Sequence, residues 1–98
     1  MYVQINIGSD QISESGQGFI SASFADDTLK ALSDSIRGDL APIEVHTGTG
    51  TWNGVSEESM HISTLADVDT YALRVKLAEI KKIYHQDAIA LIVGSDLI

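Results

Sequence analysis

Hydrophobic and polar residues alternate with a period of two over Tyr2–Ile7, YVQINI. This puts Val3, Ile5 and Ile7 on one side of a strand and Tyr2, Gln4 and Asn6 on the other. A second extended region, Ile43–Thr64, is broken at its centre by Asn53-Gly54, a pair that tolerates positive φ at both positions and so favours a type I′ hairpin turn. A two-residue turn sets Trp52 against Val55 and determines every other pair. His46 then opposes His61, Val45 opposes Ile62, Thr47 opposes Met60, Gly48 opposes Ser59 and Gly50 opposes Glu57. One face carries Glu44, His46, Trp52, Glu57, Ser59, His61 and Ser63. The other carries Ile43, Val45, Thr47, Met60 and Ile62 and reads as a core face.

Twice the period becomes helical. Asp26 or Asp27 is placed to cap a short helix whose stripe is Leu29, Leu32, Ser33 and Ile36, ending at Gly38. Asp67 or Asp69 caps a longer one over Thr70–Tyr84, with Leu73, Leu77, Ile80 and Tyr84 on one face. Ala88–Val93 is apolar on both faces, which suits a strand covered by helices on one side. In a monomer its other face, Ala88, Ala90 and Ile92, would stand exposed, which points to a partner or a homodimer. Gly8–Gly18 is rich in Ser, Gly, Gln and acid and reads as a mobile loop. Phe19–Phe24 reads either as a short strand or as an extended lead into the helix.

The order strand, helix, strand, strand, helix, strand predicts an α+β protein. Its expected form is a single ferredoxin-like βαββαβ domain over residues 1–98, an antiparallel sheet with two helices on one face. The open sheet face would then show Gln4, Asn6, His46, Ser59, His61, Ser63, Ala88, Ala90 and Ile92.

Charge narrows the partners. Fourteen acids against six Lys and Arg give a formal charge of −8, which opposes sequence-independent nucleic-acid binding and an anionic membrane surface. The positions where a βαββαβ sheet stacks RNA bases would be Gln4, Asn6, Ser59 and His61, with no Phe or Tyr among them. Without cysteine, disulfides and thiolate metal sites are excluded. The longest apolar run is far too short to span a bilayer, and Met1 leads into a strand without a basic segment, so a cytoplasmic protein is expected.

The sharpest chemical feature is the opposed pair His46 and His61, with Glu44 diagonal to His61 and Glu57 further along the same face. Directly opposed strand residues have Cβ atoms about 5 Å apart, so two imidazoles and a carboxylate there are a conceivable metal set. The commoner role is a polar sheet surface, and buried at an interface the two imidazoles would make association pH-dependent. His61-Ile62-Ser63 matches half of a paired His-x-Ser motif of two-histidine phosphoesterases, but His46-Thr47-Gly48 lacks the second hydroxyl. Gly48-x-Gly50 lies inside a strand, without the strand-turn-helix context or the Lys of a phosphate loop. Glu57 and Glu58 are neighbours on a strand and point to opposite faces, so they cannot flank one bond. Trp52, beside the turn, reads as a lid on the core or an interface anchor.

Gly48, Gly50 and Trp52, the Glu58-Ser59 step and the Tyr84-x-Gln86-Asp87-Ala88 run form a pattern that resembles small ferredoxin-like proteins of bacteria and phages. The resemblance covers about half the chain, and Ser9–Phe24 departs from it. It implies the fold and, by association, a phage factor acting against host defence. It carries over no catalytic residues.

Together these features lead to a non-enzymatic interaction protein, a homodimer or a binder of another protein, needing no cofactor or metal. It would act through its open sheet face and acidic surface by way of His46, His61, Trp52, Glu44, Glu57, Gln4 and Asn6. The alternative is a small-ligand protein or small enzyme of the dimeric ferredoxin-like type, with a pocket near His46 and His61.

Overall fold

A computed structural model describes residues 1–39 and 41–94, with the backbone alone at Trp52. Its elements are β1 (Tyr2–Gly8), β2 (Gln11–Ile12), β3 (Gly18–Phe19), α1 (Ala22–Ser35), β4 (Ile43–Trp52), β5 (Val55–Leu65), α2 (Thr70–Ile83) and β6 (Ala90–Gly94).

The β4–β5 hairpin turns at Asn53 and Gly54, with φ of 51° and 75°. These are the two positive values that a type I′ turn requires. The register follows: Trp52 pairs with Val55, His46 with His61, and Ile43 with Thr64. The other edge of β5 pairs antiparallel with β1, which in turn pairs with β6. Along these four strands the order is β6-β1-β5-β4.

The sheet as a whole is different from the one expected. Residues 11–19 form a small hairpin, β2 with β3, and β3 runs parallel to β5, pairing Gly18 with Glu57. The sheet is therefore six-stranded and mixed. The expected ferredoxin-like βαββαβ arrangement, a purely antiparallel sheet with two helices on one face, is not the fold; the chain is α+β with two helices and a mixed sheet. The physical cause lies in side chains that anchor the supposed mobile loop. Asp10 accepts hydrogen bonds from Ser21 N (2.7 Å) and Ser21 Oγ (2.6 Å), while Glu58 Oε1 accepts from Ile20 N at 2.9 Å. Gly18 can lie against Ser9 and Glu57 because it has no Cβ: one added there would come within 2.9 Å of Ser9 Oγ.

The same anchoring starts α1 earlier than the Asp26/Asp27 cap implied. Ser21 is the N-cap and accepts from Phe24 N. Phe19–Phe24 is thus divided, its first residue ending β3 and its last three beginning the helix. The cap of α2 is Asp69, accepting from Ala72 N at 3.1 Å.

Val3, Ile5 and Ile7 of β1, with Met60 and Ile62 of β5, join Phe24, Ala31 and Leu32 of α1 and Leu73, Leu77 and Ile80 of α2 in one core. Two buried hydroxyls in α1 are satisfied within their own helix, Thr28 to Phe24 O and Ser35 to Ala31 O. Val45 and Thr47, on the predicted core face, are exposed, because β4 pairs only with β5 and extends beyond the helical layer. Among the described residues no helix is long and apolar enough to cross a membrane.

Candidate functional site

Strand register determines which side chains meet on the sheet face opposite the core. In one row Ala90, Asn6, His61 and His46 lie side by side across four strands. The next row is Ile92, Gln4, Ser63 and Glu44, and a third begins with Gly94, Tyr2 and Leu65. The predicted residues Gln4, Asn6, Glu44, His46 and His61 are therefore brought together in two adjacent rows.

Glu57 is not brought to them. It sits four residues from His61 along β5, roughly 13 Å at the rise of a strand. Trp52 lies at the far end of the hairpin, and the roles expected of its side chain fall outside the described residues.

A polar ladder runs down the middle of this face. Tyr2 donates to Gln4 Oε1 at 2.6 Å, and Gln4 Nε2 donates to Asn6 Oδ1 at 2.7 Å. Alternation places Tyr2 on the same face as Gln4 and Asn6, but Tyr2 was not among the expected site residues; its i, i+2, i+4 spacing is the signal for a same-face chain. The ladder holds three side chains in one geometry and leaves His61, its neighbour across the register, exposed.

The histidines stand in water. His46 and Glu44 approach at 3.5 Å (Nε2 to Oε2) with side chains 70% and 73% exposed, so their attraction is weak and easily screened. Among the described residues no group of three or more His, Asp or Glu side chains could hold a metal ion. Among the described residues, concavities of about 200–480 Å³ include five that neither His46 nor His61 lines. One of about 280 Å³ touches the face at its margin, between Tyr2, Glu44, Ser63 and Leu65.

Two groups with displaced acidity lie at helix ends, away from these rows. The Ala72 amide holds the Asp69 carboxyl below its ordinary value, helped by Arg37. The hydrogen bond to Asp27 raises the Tyr84 phenol. Both fit a structural role in seating the helices.

No protein-family model matches the chain, and no curated protein is similar to it in sequence. Two solved structures are similar in fold. One is a de novo designed protein, Foldit4, with a TM-score of 0.53 and 21% identity over 98% of this chain and 97% of that one. The other is a phage SAM lyase in its apo state, with a TM-score of 0.50 and 16% identity over 92% of this chain and 75% of that one. At such identities the likeness shows the fold alone. That a designed protein shares it underlines that this fold carries no particular chemistry.

Proposed function

We propose that this chain is a non-enzymatic interaction protein that works through the open face of its sheet. Protein covers that face in the working state, either a second copy in a homodimer or another protein. The observation that carries this reading is a pair of rows, Asn6–His61–His46 and Gln4–Ser63–Glu44, in which Glu44, His46 and His61 are exposed, Gln4 and Asn6 half-buried and Ser63 buried, bordered by Ile92 and Leu65 at 47% and 56% exposure. In a chain of charge −8, these rows contain a single acid, Glu44. Depletion of charge at the centre of a surface patch is a mark of interfaces. Strands of 11, 10, 7 and 5 residues give this face roughly 540 Å² in projection, of the order of the ~800 Å² per partner in a standard interface.

The resemblance to phage proteins supports a concrete form, a cytoplasmic phage factor that inhibits a host defence protein. Sedimentation of the chain beside an Ile92→Glu variant tests the self-association form. A wild type that associates and a variant that associates more weakly support it. Equal behaviour of the two removes it.

A second reading is favoured by the likeness to a phage SAM lyase over 92% of this chain. Here the protein is a small-ligand protein or enzyme, and SAM is the ligand to test first. The shallow concavities of the single chain would then need a second copy to enclose the ligand. Calorimetric titration with SAM, together with chromatography of SAM after incubation, decides it. Neither heat nor loss of SAM would remove this reading.

A further inference from the structure

Charge is divided unevenly along the chain. Arg74, Lys76, Lys81 and Lys82, four of the six basic residues, lie on α2, while residues 70–94 contain only two acids, Glu79 and Asp87. Among the described residues none of these four cations takes part in an ion pair; Lys30 and Arg37, outside this segment, do. Between α2 and β6 runs a groove of about 230 Å³, floored by Leu77, Ala78, Ile89 and Leu91 and flanked by Arg74 and Lys81. A second concavity of about 480 Å³ adjoins it through Ala78 and Lys81 and adds Lys82 together with the acid Asp87. An apolar floor beside unpaired cations fits an apolar side chain followed closely by a carboxylate.

The chain displays such a segment itself. Ile12 on β2 is 77% exposed, one of the most exposed large apolar side chains in the molecule, and Glu14 stands exposed at the tip of the same hairpin. The tip is held in a defined shape: Ser13 N donates to Gln17 O at 2.8 Å and Gly16 N to Ser13 O at 2.9 Å. Its base is anchored through Asp10 to Ser21. The knob is therefore pre-shaped, which lowers the ordering cost of docking. A cavity of ~150 Å³ holds a benzene ring, so a groove of about 230 Å³ admits the side chain of Ile12.

We infer that the β2–β3 hairpin of one copy docks in the α2–β6 groove of another, Ile12 on the apolar floor and Glu14 against Lys81 and Arg74. Knob and groove are different surfaces, so the contact is head-to-tail and its assembly is finite only if the rotation closes. The contact is separate from the open sheet face, and each can fail without the other.

Sedimentation velocity of the full chain at low salt, from micromolar to near-millimolar protein, reads the contact directly. The wild type is expected to associate, more weakly as salt rises. Ile12→Asp and Lys81→Glu should each weaken association about tenfold or more, and combining Lys81→Glu with Glu14→Lys should restore most of it. Circular dichroism checks that these exposed substitutions leave the fold intact. A wild type that remains monomeric throughout the range overturns the inference. So does association that survives Ile12→Asp and is lost in Ile92→Glu, which would assign assembly to the sheet face alone.

Discussion

Tyr84 at the end of α2 donates a hydrogen bond of 2.5 Å to Asp27 in α1, while its ring stacks on Phe24 with centroids 4.7 Å apart. The two helices are thereby fastened to each other over the core. The Asp27 bond raises the phenol above its ordinary value of 10.0. A raised folded value stabilises the protonated form, so this contribution is complete below about pH 10 and lost as pH climbs through the folded value. Urea unfolding across the alkaline range should show it, and Tyr84→Phe should remove that alkaline dependence while keeping the stack. Tyr84→Ala, which also loses the stack, should be the less stable variant of the two.

Asp69 gives the opposite limb. Its carboxyl caps α2 through Ala72 N, which holds its pKa below the ordinary 3.8, helped by Arg37 at 3.4 Å. A lowered folded value means stability that is present above about pH 3.8 and lost as pH falls through the folded value. Asp69→Asn keeps an oxygen for the cap but has no proton to gain, so the acid limb of the stability curve should flatten. Asp69→Ala loses the cap as well, and its Tm should fall by a few degrees at neutral pH.

The hairpin turn can be tested on its backbone. Gly54 has φ of 75° and nothing within 4 Å of where a Cβ would stand, so substitution there costs only conformational strain. Gly54→Val should lower stability by about 1–2 kcal/mol, the penalty of a left-handed conformation for a residue with a Cβ. Amide exchange should accelerate first along β4, whose pairing is with β5 alone.

Gly18 tests the added hairpin. A methyl there meets Ser9 Oγ at 2.9 Å and Glu57 Cγ at 3.2 Å, and moving the Ser9 hydroxyl aside gives up its hydrogen bond to Glu58 O. Gly18→Ala should cost about 1–3 kcal/mol, measured by urea unfolding. It should also weaken the head-to-tail contact, because that contact depends on the hairpin's position. A variant as stable as the parent would contradict the packing of β3 on β5.

Ile92→Glu should leave stability within about 0.5 kcal/mol of the parent, as expected at an exposed position. If the open face docks protein, the same substitution should abolish docking. Loss of binding without any change in stability separates a functional surface from a structural one.

How much of this was legible beforehand depends on the range over which each feature is determined. Asn53-Gly54 carries its own turn geometry, and a two-residue loop transmits the register to His46 and His61 without help from the rest of the chain. Asp69 and the spacing of Leu73, Leu77 and Ile80 likewise define α2 locally. The opposed histidines were therefore visible in the sequence. Their exposure, and the lack among the described residues of three His, Asp or Glu groups that could hold a metal, depend on what packs over the sheet.

The loop after β1 is the contrary case. Nothing within Gly8–Gly18 announces a strand, because its order comes from Glu58, 38 residues beyond the amide of Ile20 that it accepts from, and from the space beside Gly18. Alternation and turn chemistry act between near neighbours, so the sequence alone determined the strands of the hairpin, the second helix and the apolar face of β1. Long-range contacts act only once the chain has closed on itself. The tertiary structure therefore decided that the sheet is mixed, that Val45 stays exposed on the face expected to be core, and that Ile12 and a cationic groove both face solvent.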